Sequence, residues 1–174
     1  MKYLVKFFVV TVFIIFSTHA FAEQKIVVLD MKYVLNNSKA GKGAQDFLKK
    51  SFTENQKKMD KKEESLKKEE SDLIAKKNIL SKEEFSNKTN ELRKKVTDYQ
   101  KERRTVLEKI TKLRAKARKD LLNKINPIIE NYTKENNISF VIDKKTILVG
   151  NESFDITSLV IDKLNKELPS LNLK

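Results

Sequence analysis

Apolar residues recur at helical spacing through residues 42–136, a stretch rich in the strong helix formers Lys, Glu, Leu, Arg and Gln. In its first half they stand seven positions apart, so they share one row on a helix face. The positions that would complete a coiled-coil seam carry Asn, Gln, Glu and Lys instead. The row consists of Phe52, Met59, Leu66, Leu73 and Leu80. We therefore expect a helix whose seam is only half apolar.

In the second half of this stretch the apolar residues keep the three–four spacing of a packed helix face. The face contains Phe85, Leu92, Val96, Tyr99, Val106, Ile110, Leu113, Ala117, Leu121 and Ile125. Polar Thr89 and Arg103 interrupt it, and it becomes continuous toward Ile125, so packing should strengthen in that direction. Pro127 lacks an amide donor, and we expect it to bend the helix or to restart it.

Ser81 lies between the two patterns and is followed three residues later by Glu84, a spacing typical of a helix N-cap with a capping box. We therefore predict two antiparallel helices that turn near residues 78–82 and form a long arm over residues 42–136. At about 1.5 Å per residue the helices would be about 58 Å and about 80 Å long. One unbroken helix is the alternative, because neither Gly nor Pro lies near the break.

The segments on either side of the arm, residues 23–41 and 137–169, predict a small β-rich body. Residues 25–30 contain a β-branched apolar run, which predicts a strand buried on both faces. A short helix over residues 31–37 should follow. The glycine-containing segment 38–43 then predicts the loop that launches the arm.

After the arm, residues 138–142 and 146–149 predict two more strands, which would pair with each other as a hairpin. Thr157, or Asp155, can cap a last helix that ends at a proline. The final residues, 170–174, predict a loose tail.

This body is too small to bury its own apolar strands and sheet edges. We therefore expect a cyclic homo-oligomer in which several copies close their edges around a symmetry axis. The residues expected at that interface are Ile26, Val27, Val28, Leu29, Phe140, Val141, Ile142, Ile147, Leu148 and Val149.

The N-terminal residues 1–22 have the pattern of a secretory signal peptide. Lys2 and Lys6 precede a short apolar run, and the chain then reaches a small-x-small cleavage motif that ends at Ala22. We expect cleavage after Ala22 and export of the mature chain. An uncleaved membrane anchor is the alternative, but the apolar run is short for a membrane span.

The composition argues against catalysis. The chain has no Cys, and its single His, His19, lies in the predicted signal peptide. The mature chain therefore lacks the side chains that usually bind transition metals or support thiol and His-assisted nucleophilic chemistry. We expect neither enzymatic activity nor a cofactor.

Positive charge is concentrated in the arm. Residues 42–136 contain 27 basic and 17 acidic side chains, a net charge of +10 out of +13 for the whole chain. The densest cluster comprises Lys101, Arg103, Arg104, Lys109, Lys112, Arg114, Lys116, Arg118 and Lys119. Such runs are usually solvated helix faces with local ion pairs. Only two acidic residues lie among these nine cations, so we name them as candidate anion-binding residues.

The order of these segments resembles the Skp (OmpH-like) family of periplasmic chaperones. The most specific similarity lies at the two ends of the mature chain, in residues 26–31 and in residues 140–143 followed by Thr157 and Leu164. The resemblance implies an α+β, mostly α fold in which three copies close a small central β-barrel. Three arms would then surround a cavity that holds unfolded outer-membrane proteins without ATP and delivers them toward the outer membrane. Lipopolysaccharide binding is also described for this family.

The arm supports the same holdase function on physical grounds, because a loosely packed helical pair can flex and offer apolar side chains to unfolded clients. The candidate client-binding residues are Phe52, Met59, Leu66, Leu73, Leu80 and Phe85, most of which should also join the two helices. One alternative is a basic coiled coil that binds polyanions such as lipopolysaccharide, an anionic membrane surface or nucleic acid. Export disfavours nucleic acid as a partner. Another alternative is a structural spacer of the cell envelope.

Overall fold

The computed structural model describes residue 3 and residues 24–173, so the predicted cleavage site after Ala22 lies outside the described residues. The elements are β1 (Lys25–Leu29), α1 (Met31–Asn37), α2 (Lys39–Ala75), α3 (Lys82–Glu135), β2 (Ile138–Asp143), two 3-10 turns (Lys144–Thr146 and Glu152–Phe154) and α4 (Thr157–Glu167). The two long helices and the small sheet confirm the predicted α+β, mostly helical fold.

The helices α2 and α3 form an antiparallel hairpin. Lys62 pairs with Glu102 across the hairpin, and Glu69 pairs with Lys95, so the two chain directions are opposite. The turn between them covers residues 76–81. At about 1.5 Å per residue, the 37 residues of α2 span about 55 Å and the 54 residues of α3 span about 80 Å.

The capping box predicted at Ser81 is confirmed. The Glu84 amide donates to the Ser81 hydroxyl over 3.2 Å, and the Ser81 amide donates to the Glu84 carboxylate over 3.1 Å. The hydrogen bonds from Ser81 lower the pKa of the Glu84 carboxyl. This local arrangement satisfies amides that the first turn of a helix leaves unpaired, and so it ends the turn and begins α3.

Packing within the hairpin increases toward the body, as the second seam predicted. In α3 the buried residues begin about halfway to the body and are Ile110, Leu113, Ala117, Leu121, Ile125 and Ile128. In α2 the buried apolar side chains are Ala40, Ala44, Leu48 and, farther out, Met59. The outer half of the hairpin is therefore held mainly by half-exposed side chains.

The predicted launch loop over residues 38–43 is wrong. Ser38 caps α2 by accepting a hydrogen bond from the Gly41 amide over 3.1 Å, and both glycines lie inside the helix. A Cβ atom at Gly41 would lie 1.9 Å from the carbonyl oxygen of Leu35 in α1. Gly41 therefore serves the close approach of two helices, and α2 begins within the body.

Pro127 does not restart the helix. α3 continues through it to Glu135, and the neighbouring Ile125 and Ile128 are buried in the core of the body. Burial of these side chains offsets the hydrogen bond that the proline cannot donate. The helix ends where Asn137 adopts a positive φ of 51°, a conformation that asparagine tolerates better than most residues.

The sheet differs from the predicted one. β1 and β2 pair in parallel, with Ile26 opposite Phe140 and Val28 opposite Ile142, so the whole hairpin serves as the connection between them. The predicted strand over residues 146–149 and its hairpin are wrong. The Asp143 carboxylate instead accepts a hydrogen bond from the Lys145 amide over 3.1 Å and starts a 3-10 turn. The segment that follows has no strand partner within residues 24–173.

The core of the body lies between one face of the sheet and the ends of α3 and α4. β1 directs Val27 and Leu29 into this core, where Val34, Ile125 and Leu164 are also buried. β1 was predicted to be buried on both faces, and this is wrong because Ile26 is 40% exposed. The sheet therefore keeps an outer face of its own.

Asp155 joins β1, a 3-10 turn and α4. Its carboxylate accepts a hydrogen bond from the Thr157 amide over 2.8 Å and pairs with Lys144. Burial opposes ionisation of this carboxyl, but the hydrogen bonds from Lys144 and Thr157 outweigh it and lower its pKa. Of the two predicted caps, Asp155 therefore binds the first turn, whereas the Thr157 hydroxyl accepts from the Asp30 amide over 2.9 Å.

The predicted loose tail is wrong as well. Leu173 is buried against Ala44 of α2 and Ala117 of α3, and Leu171 packs against both this contact and the core of the body. Two small alanines leave room for the leucine between the helices. The C-terminal segment therefore ties the base of the hairpin to the body.

Candidate interaction surfaces

The outer halves of α2 and α3 enclose a long groove, which we call the distal groove. It has a volume of about 880 Å³, and its apolar lining is Leu66, Leu73, Ile74, Phe85, Leu92 and Val96. Most of these side chains are half-buried, and Ile74 and Val96 are exposed. The surface is apolar, open and accessible, because the two seams meet without filling the space between them.

Polar contacts hold the hairpin at the inner end of the distal groove. The Tyr99 hydroxyl donates to the Glu63 carboxylate over 2.9 Å, and Lys67 pairs with the same carboxylate over 2.8 Å. Hydrogen bonds from Lys67 and Tyr99 lower the pKa of Glu63, and burial together with this hydrogen bond raises the pKa of Tyr99. Exposed pairs of this kind contribute little stability, so the outer hairpin is not tightly closed.

The six candidate client-binding residues fall into different environments. Leu66, Leu73 and Phe85 line the distal groove. Leu80 is half-buried in the turn, and Phe52 is 45% exposed nearer the body. Met59 is only 4% exposed, so it belongs to the seam between the helices and not to an open surface.

Sequence reasoning missed two exposed residues at the tip. Ile74 is 62% exposed and Ile79 is 82% exposed. Each is adjacent to a member of the apolar row whose residues are spaced seven apart, Ile74 to Leu73 and Ile79 to Leu80. Both therefore fall outside the spacing that selected the candidates. For Ile79 the signal in the sequence was an isoleucine within the predicted turn, where neither helix can bury an apolar side chain, whereas Ile74 lies in the last turn of α2 and gave no such signal.

The nine basic candidates are all exposed along the middle of α3. Among the described residues, only Lys116 in this cluster forms an ion pair, with Asp120 over 2.6 Å. The remaining eight form no ion pair with a residue that the structure describes, and they contribute positive potential. They do not converge on one point, because a run of nineteen residues winds around the helix several times.

The body presents a second apolar surface, the outer face of its sheet. Ile26 and Val28 of β1 stand beside Phe140 and Ile142 of β2, and Phe140 is 58% exposed. Next to β1, an open cavity of about 1070 Å³ is bordered by the segment 147–154. Leu148 and Val149 in that segment are 101% and 92% exposed, which is unusual for aliphatic side chains.

The ten candidate interface residues therefore divide by face. Val27 and Leu29 are buried in the core of their own chain and are not exposed to a partner copy, because alternate residues of a strand point to opposite faces. Val141 is half-buried and packs against that same core. The remaining seven lie on the outer face or beside it and are Ile26, Val28, Phe140, Ile142, Ile147, Leu148 and Val149.

This combination of a sheet-bearing body and a long, half-apolar hairpin has counterparts among known proteins. The family model described as Outer membrane protein (OmpH-like) matches residues 25–164, which is most of the chain. The chain belongs to the OmpH-like family.

Two relatives show how far the likeness of this OmpH-like chain extends. A Skp-like protein of Pseudomonas aeruginosa is 25% identical over 170 residues, which cover 95% of this chain and 99% of the relative. A solved structure of a candidate outer membrane chaperone (OmpH-like) from Caulobacter crescentus matches with a TM-score of 0.78 at 19% identity. That match covers 89% of this chain and 92% of the other, and at this identity it establishes the fold alone.

The described part of the OmpH-like chain has neither a membrane-spanning helix nor a cluster of metal ligands. Within residues 24–173, no helix has the length and hydropathy that a membrane span requires. The same part of the chain contains no group of three or more carboxylates or imidazoles placed to hold a metal ion.

Proposed function

We propose that this OmpH-like chain is an ATP-independent periplasmic holdase that binds unfolded outer-membrane proteins, prevents their aggregation and delivers them toward outer-membrane assembly. The distal groove is the observation that carries the proposal. Its lining on α3 runs from Phe85 to Arg103, about 27 Å, and an open surface of that length with apolar side chains suits an extended, unfolded segment better than a compact ligand.

The arrangement of the groove also suits reversible binding. Its walls are half-exposed and are joined by the exposed ion pair between Glu69 and Lys95, so the two helices can adjust to different apolar segments. A client would leave when its own fold buries its apolar residues more completely than the groove does. Release therefore needs no nucleotide.

The proposal includes assembly into a homotrimer. The outer sheet face and the segment 147–154 expose aliphatic and aromatic side chains beside an open cavity. Copies arranged around an axis would cover these side chains with each other and place the hairpins around a common space. Clients would then occupy the space between hairpins as well as the groove of each one.

The basic cluster of α3 supports a further part of the proposal. Eight exposed cations without ion pairs create a positive field that reaches about 8 Å at physiological salt. We propose that this field attracts clients with net negative charge, and anionic envelope components such as lipopolysaccharide, before apolar contacts form. Capture should then slow as salt is added.

The test is to dilute a denatured outer-membrane β-barrel protein into buffer with the mature chain and to follow light scattering. The proposal predicts suppression of scattering at stoichiometric amounts. The triple variant Leu66→Ser/Leu73→Ser/Phe85→Ser should suppress scattering several-fold less well, because apolar contact in the distal groove is lost.

A matched variant controls for the loss of apolar side chains in general. Tyr33→Ser/Phe47→Ser/Leu107→Ser removes three exposed residues that do not line the distal groove, and it should keep full activity. Circular dichroism of both variants separates loss of the client surface from loss of the hairpin itself. If the wild-type chain leaves the scattering unchanged at every molar ratio of chain to client, the holdase function is contradicted.

A further inference from the structure

A second groove, which we call the basal groove, lies between α2 and α3 close to the body. Its volume is about 620 Å³. Leu48, Phe52 and Leu121 contribute to an apolar floor, and the basic residues at its rim are Lys49, Arg114 and Arg118. No acidic residue lines it.

The rim cations have no evident role in stabilising the hairpin. Arg114 and Arg118 are four residues apart on one helix, where two like charges repel. Neither they nor Lys49 form an ion pair with any residue in the part of the chain that the structure describes, whereas nearby Lys116 pairs with Asp120. Three cations collected around an apolar floor therefore point to an anionic partner.

The shape of the site limits what that partner can be. Arg114 and Arg118 are one helical turn apart, about 6 Å along the axis. In an extended polypeptide, residues i and i+2 point to the same side and are separated by about 6.6 Å. Two carboxylates at alternate positions of an extended chain can therefore each face one guanidinium, which binds a carboxylate through paired hydrogen bonds.

The floor adds a requirement for an apolar side chain on the same side of the partner. Phe52 lies at the edge of the groove and is 45% exposed, although a phenylalanine would be expected to be covered. An apolar side chain beside the two carboxylates would cover it. A cavity of about 620 Å³ holds a few side chains and suits a short segment of polypeptide.

We propose that the basal groove binds extended segments of unfolded polypeptide in which alternate acidic residues lie beside an apolar residue. This rests on the holdase function proposed above and assigns it a second, sequence-selective contact. The distal groove accepts apolar segments generally, and the basal groove favours those that also carry carboxylates.

The test is fluorescence anisotropy with the full mature protein and dye-labelled peptides. The probe peptide carries Asp at positions i and i+2 and Phe at position i+4, so that all three side chains point to the same side of the extended chain. One control peptide replaces each Asp with Asn, and another replaces the Phe with Ser. We expect the probe to bind about tenfold more tightly than either control, because hydrogen bonds to charged groups and burial of the aromatic ring both contribute.

A matched pair of charge variants locates the site. Arg114→Gln/Arg118→Gln should weaken binding of the probe about tenfold. Lys57→Gln/Lys61→Gln removes the same charge at the same four-residue spacing, from exposed positions of α2 that do not line the basal groove. It should change binding less than twofold. Equal weakening by the two variants would show a general charge effect and overturn the proposal.

The same variants separate this proposal from the holdase function. If the wild-type chain suppresses aggregation but does not distinguish the probe from its controls, the basal groove proposal fails alone. If the protein binds vesicles of anionic phosphatidylglycerol through Arg114 and Arg118, but binds the probe peptide without them, the partner is a lipid and the proposal is wrong. If suppression itself is absent, the holdase function fails.

Discussion

Gly41 and Gly43 show how two identical residues, two positions apart, have different roles. Gly41 lies where α2 passes the carbonyl oxygen of Leu35, and any side chain there would collide with backbone. Gly43 has no atom within 4 Å of the place where its Cβ would be. The first glycine is therefore required by packing, and the second is a weak point in a helix.

This difference predicts opposite effects of the same substitution. Gly43→Ala should raise the free energy of unfolding by about 0.5–1 kcal/mol, because alanine loses less backbone entropy in a helix. Gly41→Ala should lower it by about 1–3 kcal/mol, because the helices must move apart. Urea unfolding followed by circular dichroism at fixed protein concentration measures both. A similar change in the two variants would contradict this interpretation.

At the scale of elements, the junction between β1, the first 3-10 turn and α4 depends on one carboxylate. Asp155 bridges to Val28 in the sheet, pairs with Lys144 and accepts a hydrogen bond from the first turn of α4. These contacts favour its ionised form, and the pairing also raises the pKa of Lys144. The ordering of the exposed segment between Lys144 and Asp155 therefore depends on the charge of Asp155.

The pH dependence follows from the direction of the shift. Since folding lowers the pKa of Asp155 below its usual 3.8, its contribution is present above pH 3.8 and is lost as pH falls toward the folded value. Asp155→Asn should therefore reduce the urea midpoint at pH 7 and make it less sensitive to pH below 4. Asn can still accept the hydrogen bond from Thr157, so the variant removes mainly the charge.

Asp162→Asn serves as the control for that measurement, because it removes the same charge from an exposed position of α4. We expect it to leave the acid-dependent decrease in the urea midpoint in place. If both variants reduce the pH dependence of the urea midpoint equally, then net charge, and not the junction at Asp155, sets the sensitivity of stability to acid.

At the scale of the whole molecule, the two apolar surfaces have separate places. The outer sheet face belongs to the body, and the distal groove belongs to the outer hairpin. The tightly packed inner hairpin and the C-terminal Leu173 lie between them and tie α2 and α3 to the body. Assembly through one surface can therefore leave the other open for clients.

This separation predicts that assembly can be disrupted without unfolding the hairpin. Phe140→Glu/Leu148→Glu places two charges on the exposed apolar surface of the body and should shift the sedimentation mass from three copies to one. Helical content should be retained. Leu107→Glu adds a charge at an exposed position of α3 and should leave the mass unchanged. A wild-type chain that sediments as a single copy at micromolar concentration would contradict the trimer.

The features that the sequence predicted correctly are local. Helical spacing, the capping box at Ser81 and the strengthening of the seam toward Ile125 depend on residues within a few turns of one another. The same spacing placed Leu66, Leu73 and Phe85 in the distal groove, but it also selected Met59, which the partner helix covers. Ile74 and Ile79 were missed because both lie outside the seven-residue spacing, and spacing does not report exposure.

The sequence by itself determined where the long helices run, because helix formation, capping and periodicity act over a few residues. Tertiary structure alone decided the partner of each strand, since β1 and β2 pair across more than a hundred intervening residues. It also decided that Leu173 would be buried and that Gly41 would face a backbone carbonyl. Those outcomes depend on surfaces that meet only after the hairpin has folded back onto the body.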